Sequence, residues 1–154
     1  MDIADLLGLE DVYTDLGVTS KKQALQALAR HAAGRVALPE RAIFDVLQER
    51  ERLGSTGVGG GVAIPHGKMD SLDRLYGAFA RLERPVNFEA VDDEPVDLVF
   101  LLLAPEEAGA EHLKALARVS RLLRDATVCE KLRGAEDNET VYNILVNGPS
   151  SRAA

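Results

Sequence analysis

The stretch VDLVFLLLA (residues 96–104) holds a single charge, Asp97, in nine residues, and neither of its two faces is polar. A strand apolar on both faces needs cover above and below, which places it centrally in a sheet clothed by helices on both sides. Working outward, LYGAFARLE (75–83) reads as a neighbouring strand, with RPVNFEAVDDEPV (84–96) as a connection of mixed character. GVAIPH (61–66) is a short apolar strand stopped by Pro65, and VYTDLGV (12–18) is β-branched and aromatic in the manner of a first strand.

Between these lie two amphipathic helices. TSKKQALQALARHAAG (19–34) offers Thr19 or Ser20 as cap, Leu25, Leu28 and Ala32 at helical spacing, and Gly34 where a C′ residue belongs. LPERAIFDVLQERERLG (38–54) has Pro39 in its first turn and a stripe of Ile43, Val46, Leu47 and Leu53 ending at Gly54. They predict an antiparallel pair packed on one face of the sheet. After the central strand the chain turns helical, in residues 110–125, 127–135 and 138–147, before GPSSRAA at the end, which should fray. The elements mix without strict βαβ alternation. The expectation is an α/β fold, a mixed β-sheet with helices on both faces, in one domain over residues 1–148 with a flexible tail at 149–154.

Composition narrows the function. A net charge of −7 argues against a nucleic-acid backbone as partner, and the absence of tryptophan leaves little for base stacking. No apolar run approaches the roughly 20 residues needed to cross a bilayer, and the acidic start lacks a basic signal region. One cysteine, Cys129, excludes an internal disulfide and fits a reducing cytoplasm; it reads as a small apolar residue on its helix.

The chemistry concentrates in GSTGVGGGVAIPHGK (54–68). A Walker A loop would put glycine at 62 and a hydroxyl at 69, where Val62 and Met69 stand; a dinucleotide fingerprint fails at Val62 and Ile64. The loop also follows a helix and precedes a strand, the wrong polarity for either site. The remaining reading is that glycines let backbone N–H groups approach an anion beside His66. Ser55 and Thr56 add hydroxyls, Pro65 stiffens the approach, and Gly67 leaves room at the imidazole. On residue type alone, His66 is as well read as an ordinary strand-end histidine. His31 reads as a helix C-terminal residue favoured by the dipole, with no role assigned. His112 stands in the first turn of the 110–125 helix, where an anion is favoured. No closely spaced ligand pair supports a metal site on His66, His112 and Cys129, and none is assigned.

RERLGSTGVGGGVAIPHGK (50–68), together with PVDLVFLLLAP (95–105) and EHLKALARVSRLL (111–123), resembles the mannitol/fructose-type (type 2) enzyme IIA domains of the bacterial phosphoenolpyruvate-dependent phosphotransferase system. VTSKKQALQALARHA (18–32) and CEKLRGAEDNETVYNIL (129–145) look most like its nitrogen-regulatory branch. The resemblance implies a three-layer α/β/α sandwich and a cytoplasmic phosphotransferase component without cofactor. It implies His66 as phosphoacceptor on Nε2, charged by an HPr-type phosphocarrier protein. His112 would orient the phosphoryl group and Arg50 would supply positive charge, the lesser alternative for Arg50 being a solvated helix-end charge. Ser55, Thr56 and Gly67 match positions near the phosphate; Glu51 matches a position of unassigned role. Downstream, it implies either regulatory protein targets or, in the alternative, an enzyme IIB of a fructose or mannitol system. An interaction module that is never phosphorylated is the reading from a different class, and retention of both His66 and His112 argues against it.

Overall fold

Along the stretch from Val96 to Pro105, side chains at Leu98, Phe100 and Leu102 enter one apolar cluster, while Val99, Leu101 and Leu103 enter another. Strand periodicity of two divides them, and each cluster is completed by helices. The computed structural model describes residues 1–149. After two 3₁₀ turns, Ile3–Asp5 and Leu9–Asp11, the elements are β1 (Val12–Leu16), α1 (Lys21–Val36), α2 (Glu40–Arg52), β2 (Gly57–Gly59), β3 (Val62–Ala63) and β4 (His66–Met69). They continue with β5 (Tyr76–Val86), β6 (Val96–Pro105), α3 (Ala110–Arg124), α4 (Ala126–Gly134) and α5 (Asn138–Asn147). Leu25, Leu28, Ile43 and Leu47 of α1 and α2 cover one face of the sheet. Val119, Leu132, Val141 and Leu145 of α3 to α5 cover the other. The fold is the anticipated three-layer α/β/α sandwich.

The sheet runs β1-β5-β6-β3-β2, with β4 also on β6. β5 and β6 are antiparallel, whereas β1–β5, β3–β6 and β4–β6 are parallel, so the sheet is mixed. β3 and β4 keep one offset against β6, Val62 opposite Leu98 and His66 opposite Leu102. They form a single extended line broken at Ile64 and Pro65. Pro65 has no N–H to give, but its carbonyl still accepts the Leu102 N–H at 3.0 Å, so the register survives the break. His66 therefore opens β4 rather than closing the 61–66 strand as expected.

Other boundaries moved for tertiary reasons. α1 is capped by Ser20, whose hydroxyl accepts the Gln23 N–H at 3.1 Å. The helix passes Gly34 and ends at Val36, with Ala37 left-handed at φ 60°. Arg35 explains the extra length, because its Nε–H donates to buried Asp11 at 2.8 Å. Leu53, placed in the apolar stripe of α2, instead lies past its end and is 80% exposed. β1 stops at Leu16, two residues short, after Asp15 turns to φ 58°. β5 extends to Val86, which pairs with Val96. Most of the tail thought to fray, from residue 150 on, lies outside the described residues.

Candidate functional site

His66 leads β4, which has β6 on one side and, among the described residues, no strand on the other. Paired residues of parallel strands point to one face, so His66 sits with Leu102 toward α3, and Gly67 sits with Leu103 toward α2. This alternation explains Gly67. A Cβ there would run into Val46 Cγ1, so the glycine lets α2 lie directly on β4. The space that the sequence reading left open for an incoming group is filled by Val46.

Close packing brings the C-terminal turn of α2 to the imidazole. Arg50 Nε–H donates to His66 Nε2 at 3.3 Å, and its Nη1 donates to the Gly54 carbonyl at 2.9 Å. The other ring nitrogen, Nδ1, lies 2.8 Å from the Ile64 carbonyl oxygen. A carbonyl only accepts, so Nδ1 carries the proton and Nε2 presents its lone pair. His112, in the first turn of α3, brings its ring centroid to 5.7 Å from that of His66. His112 is 8% exposed, and its Nδ1 is buried without a partner. An orphaned ring nitrogen is a departure from the rule that buried polar groups are satisfied.

These residues line an open cleft of about 660 Å³, walled by Asp45, Val46, Glu49 and Arg50 of α2, by His66, Gly67 and Lys68 of β4, and by His112, with Leu53 on its rim. Burial lowers the His66 pKa from the imidazole value; Arg50 lowers it further, while the Ile64 carbonyl and Glu51 push it back up. Burial also lowers that of His112, helped by the charges of His66 and Lys68. Both rings are thus biased toward neutral.

Ser55 and Thr56 are turned to other tasks. The Ser55 hydroxyl donates to the Phe88 carbonyl at 2.6 Å and accepts the Gly57 N–H. Thr56 is buried, and both its N–H and its hydroxyl donate to Glu51. Glu51 in turn pairs with Lys21 of α1 at 3.0 Å. It is a clasp holding α1, the end of α2 and the loop in one arrangement, and it fixes where Arg50 leaves its helix. Neither hydroxyl lines the cleft.

The triple glycine also has a structural explanation. Gly59 pairs with Val62, leaving Gly60 and Gly61 as a two-residue connection with φ of 67° and 80°. Positive φ at both positions is the requirement of a type I′ hairpin turn. Arg133 of α4 locks this hairpin by donating to the Gly60 carbonyl at 2.8 Å and forking onto Asp97. Residues 59–61 are therefore no cradle for an anion beside His66. His31, well inside α1, stacks on Tyr13 at 4.0 Å rather than serving a helix end, and Cys129 is buried, its thiol donating to the Leu123 carbonyl. The sequence reading passed over Lys68, although it stands two residues from His66 and therefore on the same strand face.

An α/β sandwich with a neutral, cation-flanked imidazole at an open sheet edge belongs to the class of phosphoryl-carrying domains. The family model described as "Phosphoenolpyruvate-dependent sugar phosphotransferase system, EIIA 2" matches residues 5–148, and the chain belongs to that family. It is 56% identical over 153 residues to a nitrogen regulatory protein of Bradyrhizobium diazoefficiens, covering 99% of this chain and all of that one. A fructose-specific EIIA component of Haloferax volcanii is 39% identical over 146 residues, 94% of each. The crystal structure of nitrogen regulatory protein IIA-Ntr from Neisseria meningitidis superposes with a TM-score of 0.89 at 38% identity, covering 93% of this chain and 98% of that one. Among the described residues no helix is long and apolar enough to cross a membrane.

Proposed function

We propose that this chain accepts a phosphoryl group on Nε2 of His66 from an HPr-type phosphocarrier and, in its two phosphorylation states, regulates partner proteins of nitrogen metabolism. The carrying observation is the tether of His66: with Nδ1–H on the Ile64 carbonyl, the lone pair of Nε2 faces Arg50 and the cleft. In the transfer, that lone pair attacks phosphorus as the bond from phosphorus to the donor nitrogen breaks. The electron pair of the broken bond returns to the donor imidazole. The proton on His66 Nδ1 stays in place, so no base is needed.

Such transfer depends on alignment and charge more than on covalent machinery. Arg50 gives up its contact with the bare Nε2 and turns to the phosphoryl oxygens. The ring of His112, its centroid 5.7 Å from that of His66, holds the group in line. The group brings about −1.5 to −2 charges. Leu53, which lines the cleft and is 80% exposed, offers the incoming carrier an apolar footing. Regulation is favoured by the name of the 56%-identical relative. A second reading, phosphate passed to an enzyme IIB, is supported by the fructose-specific relative. Incubation of the phosphorylated chain with candidate IIB proteins separates them: regulation predicts that the label stays on the chain, and its quantitative movement to a IIB would favour the second reading.

A further inference from the structure

Lys68 is the remaining cation of the cleft. It points to the same face of β4 as His66, since His66 lies opposite Leu102 and Lys68 opposite Ala104. It lines the same cleft and is exposed. Among the described residues its ammonium makes no ion pair and no hydrogen bond. The carboxylates nearby are engaged elsewhere: Asp45 with Arg41 at 3.0 Å, Glu49 with Arg52 at 3.6 Å, and Glu51 with Lys21 at 3.0 Å. Among the described residues Arg50 likewise has no carboxylate partner, and its bonds go to the Gly54 carbonyl and His66. The cleft of a chain with net charge −7 thus keeps two uncompensated cations around one imidazole.

We propose that Lys68 is a phosphate-holding residue, the second counter-charge, with Arg50, for the phosphoryl group on His66. The proposal rests on the reading that His66 carries that group. A phosphoryl group of about −1.5 to −2 charges is only partly neutralised by one arginine. A lysine suits the remainder, because its ammonium is a compact charge on a flexible stem that reaches the oxygens without a fixed fork. No bond to Lys68 forms or breaks, and it stays protonated throughout. After burial and His66, Lys68 is a further influence that disfavours protonation of His112.

The test is the equilibrium partition of phosphate between an HPr-type carrier and this chain, read by intact mass, for the wild type, Lys68→Met and Lys68→Arg. Partition is the right readout because a change that affects only docking alters forward and reverse rates alike and leaves it unmoved. Lys68→Met should shift partition about 5- to 30-fold toward the carrier, the low end being one charge pair at about 4 Å in water-like surroundings and the high end a share of its near-surface value discounted for solvent screening. Lys68→Arg should recover to within about threefold, and added salt should narrow the gap between wild type and Lys68→Met. A wild type labelled at His66, with Lys68→Met partitioning within twofold of it, overturns the role of Lys68 alone. So does a Lys68→Arg variant as impaired as Lys68→Met. A wild type that takes no label at His66 overturns the site reading and this proposal with it. Unchanged thermal melting of both variants, expected for an exposed side chain, separates these outcomes from misfolding.

Discussion

His66 Nδ1 and the carbonyl oxygen of Ile64 stand 2.8 Å apart, two residues along one chain, across the break that Pro65 makes in the edge of the sheet. The break and the tether are one device. Pro65 keeps the ladder bond to Leu102 with its carbonyl, while the Ile64 carbonyl accepts from the ring that follows and so fixes its tautomer and orientation.

The tether and the burial of His66 set a pH dependence. Its pKa is lowered, chiefly by burial and secondly by Arg50 against the opposing pull of Ile64 and Glu51, so the ring should titrate below the ordinary value of about 6.5. Nε2 is then free at neutral pH and lost as a nucleophile only in acid. NMR titration of the ring should find this low midpoint and move it upward in Arg50→Met; a wild-type midpoint above 6.5 would contradict the electrostatics described here.

The same shifts carry a stability consequence. His31, His66 and His112 are all lowered, so below about pH 6.5 the unfolded chain binds more protons than the native one. The histidine contribution is intact above that pH and is eroded as pH falls toward the native values. Melting temperature should decline between pH 7 and 5, less steeply in His66→Ala. An identical slope in the two proteins would show that His66 has no part in it.

Arg50 should matter more for charge than for fold. Arg50→Met is expected to lower the rate of phosphoryl acceptance about 10- to 100-fold, a discounted share of the roughly 4 kcal/mol available to a half-screened pair at 4 Å. Arg50→Lys should recover part of it. Stopped-flow or quench-flow transfer from the phosphorylated carrier measures both.

His112→Ala should still become labelled but pass phosphate on slowly, since the change removes the group that aligns the phosphoryl oxygens and leaves Nε2 of His66 in place. Single-turnover donation to any accepting partner checks this. Transfer at the wild-type rate would remove His112 from the mechanism.

Gly67→Ala tests how α2 is held against β4. The added methyl meets Val46, so the helix that bears Arg50 must shift, at a cost of about 1–3 kcal/mol for an overpacked contact. Val46→Ala should offset part of that loss in the double variant, a non-additivity characteristic of residues in contact. Chemical denaturation of the four proteins gives the coupling; strict additivity would mean that the two side chains do not compete for the space.

Much of this was legible in the sequence. The central strand and the helices that cover it follow from periodicity and turn chemistry, which are local, whereas the joint role of His66 and His112 came from the family resemblance. What escaped was set by distant partners. Arg35 carries α1 past Gly34 because Asp11 waits for it. Gly60 and Gly61 form a hairpin turn whose lock, Arg133, lies more than seventy residues on. Ser55 and Thr56 look like phosphate ligands in a linear reading, yet Phe88 and Glu51 claim their hydroxyls. Lys68 could have been found by counting two residues from His66 along a strand, had the strand been seen to begin there.

The most direct test is to charge the chain with phosphoenolpyruvate, enzyme I and an HPr-type carrier, and then map the modified residue. The account predicts one acid-labile phosphoryl group, on Nε2 of His66, absent from a folded His66→Ala variant. Labelling at His112, at Nδ1 of His66, or of His66→Ala to the wild-type extent would contradict it.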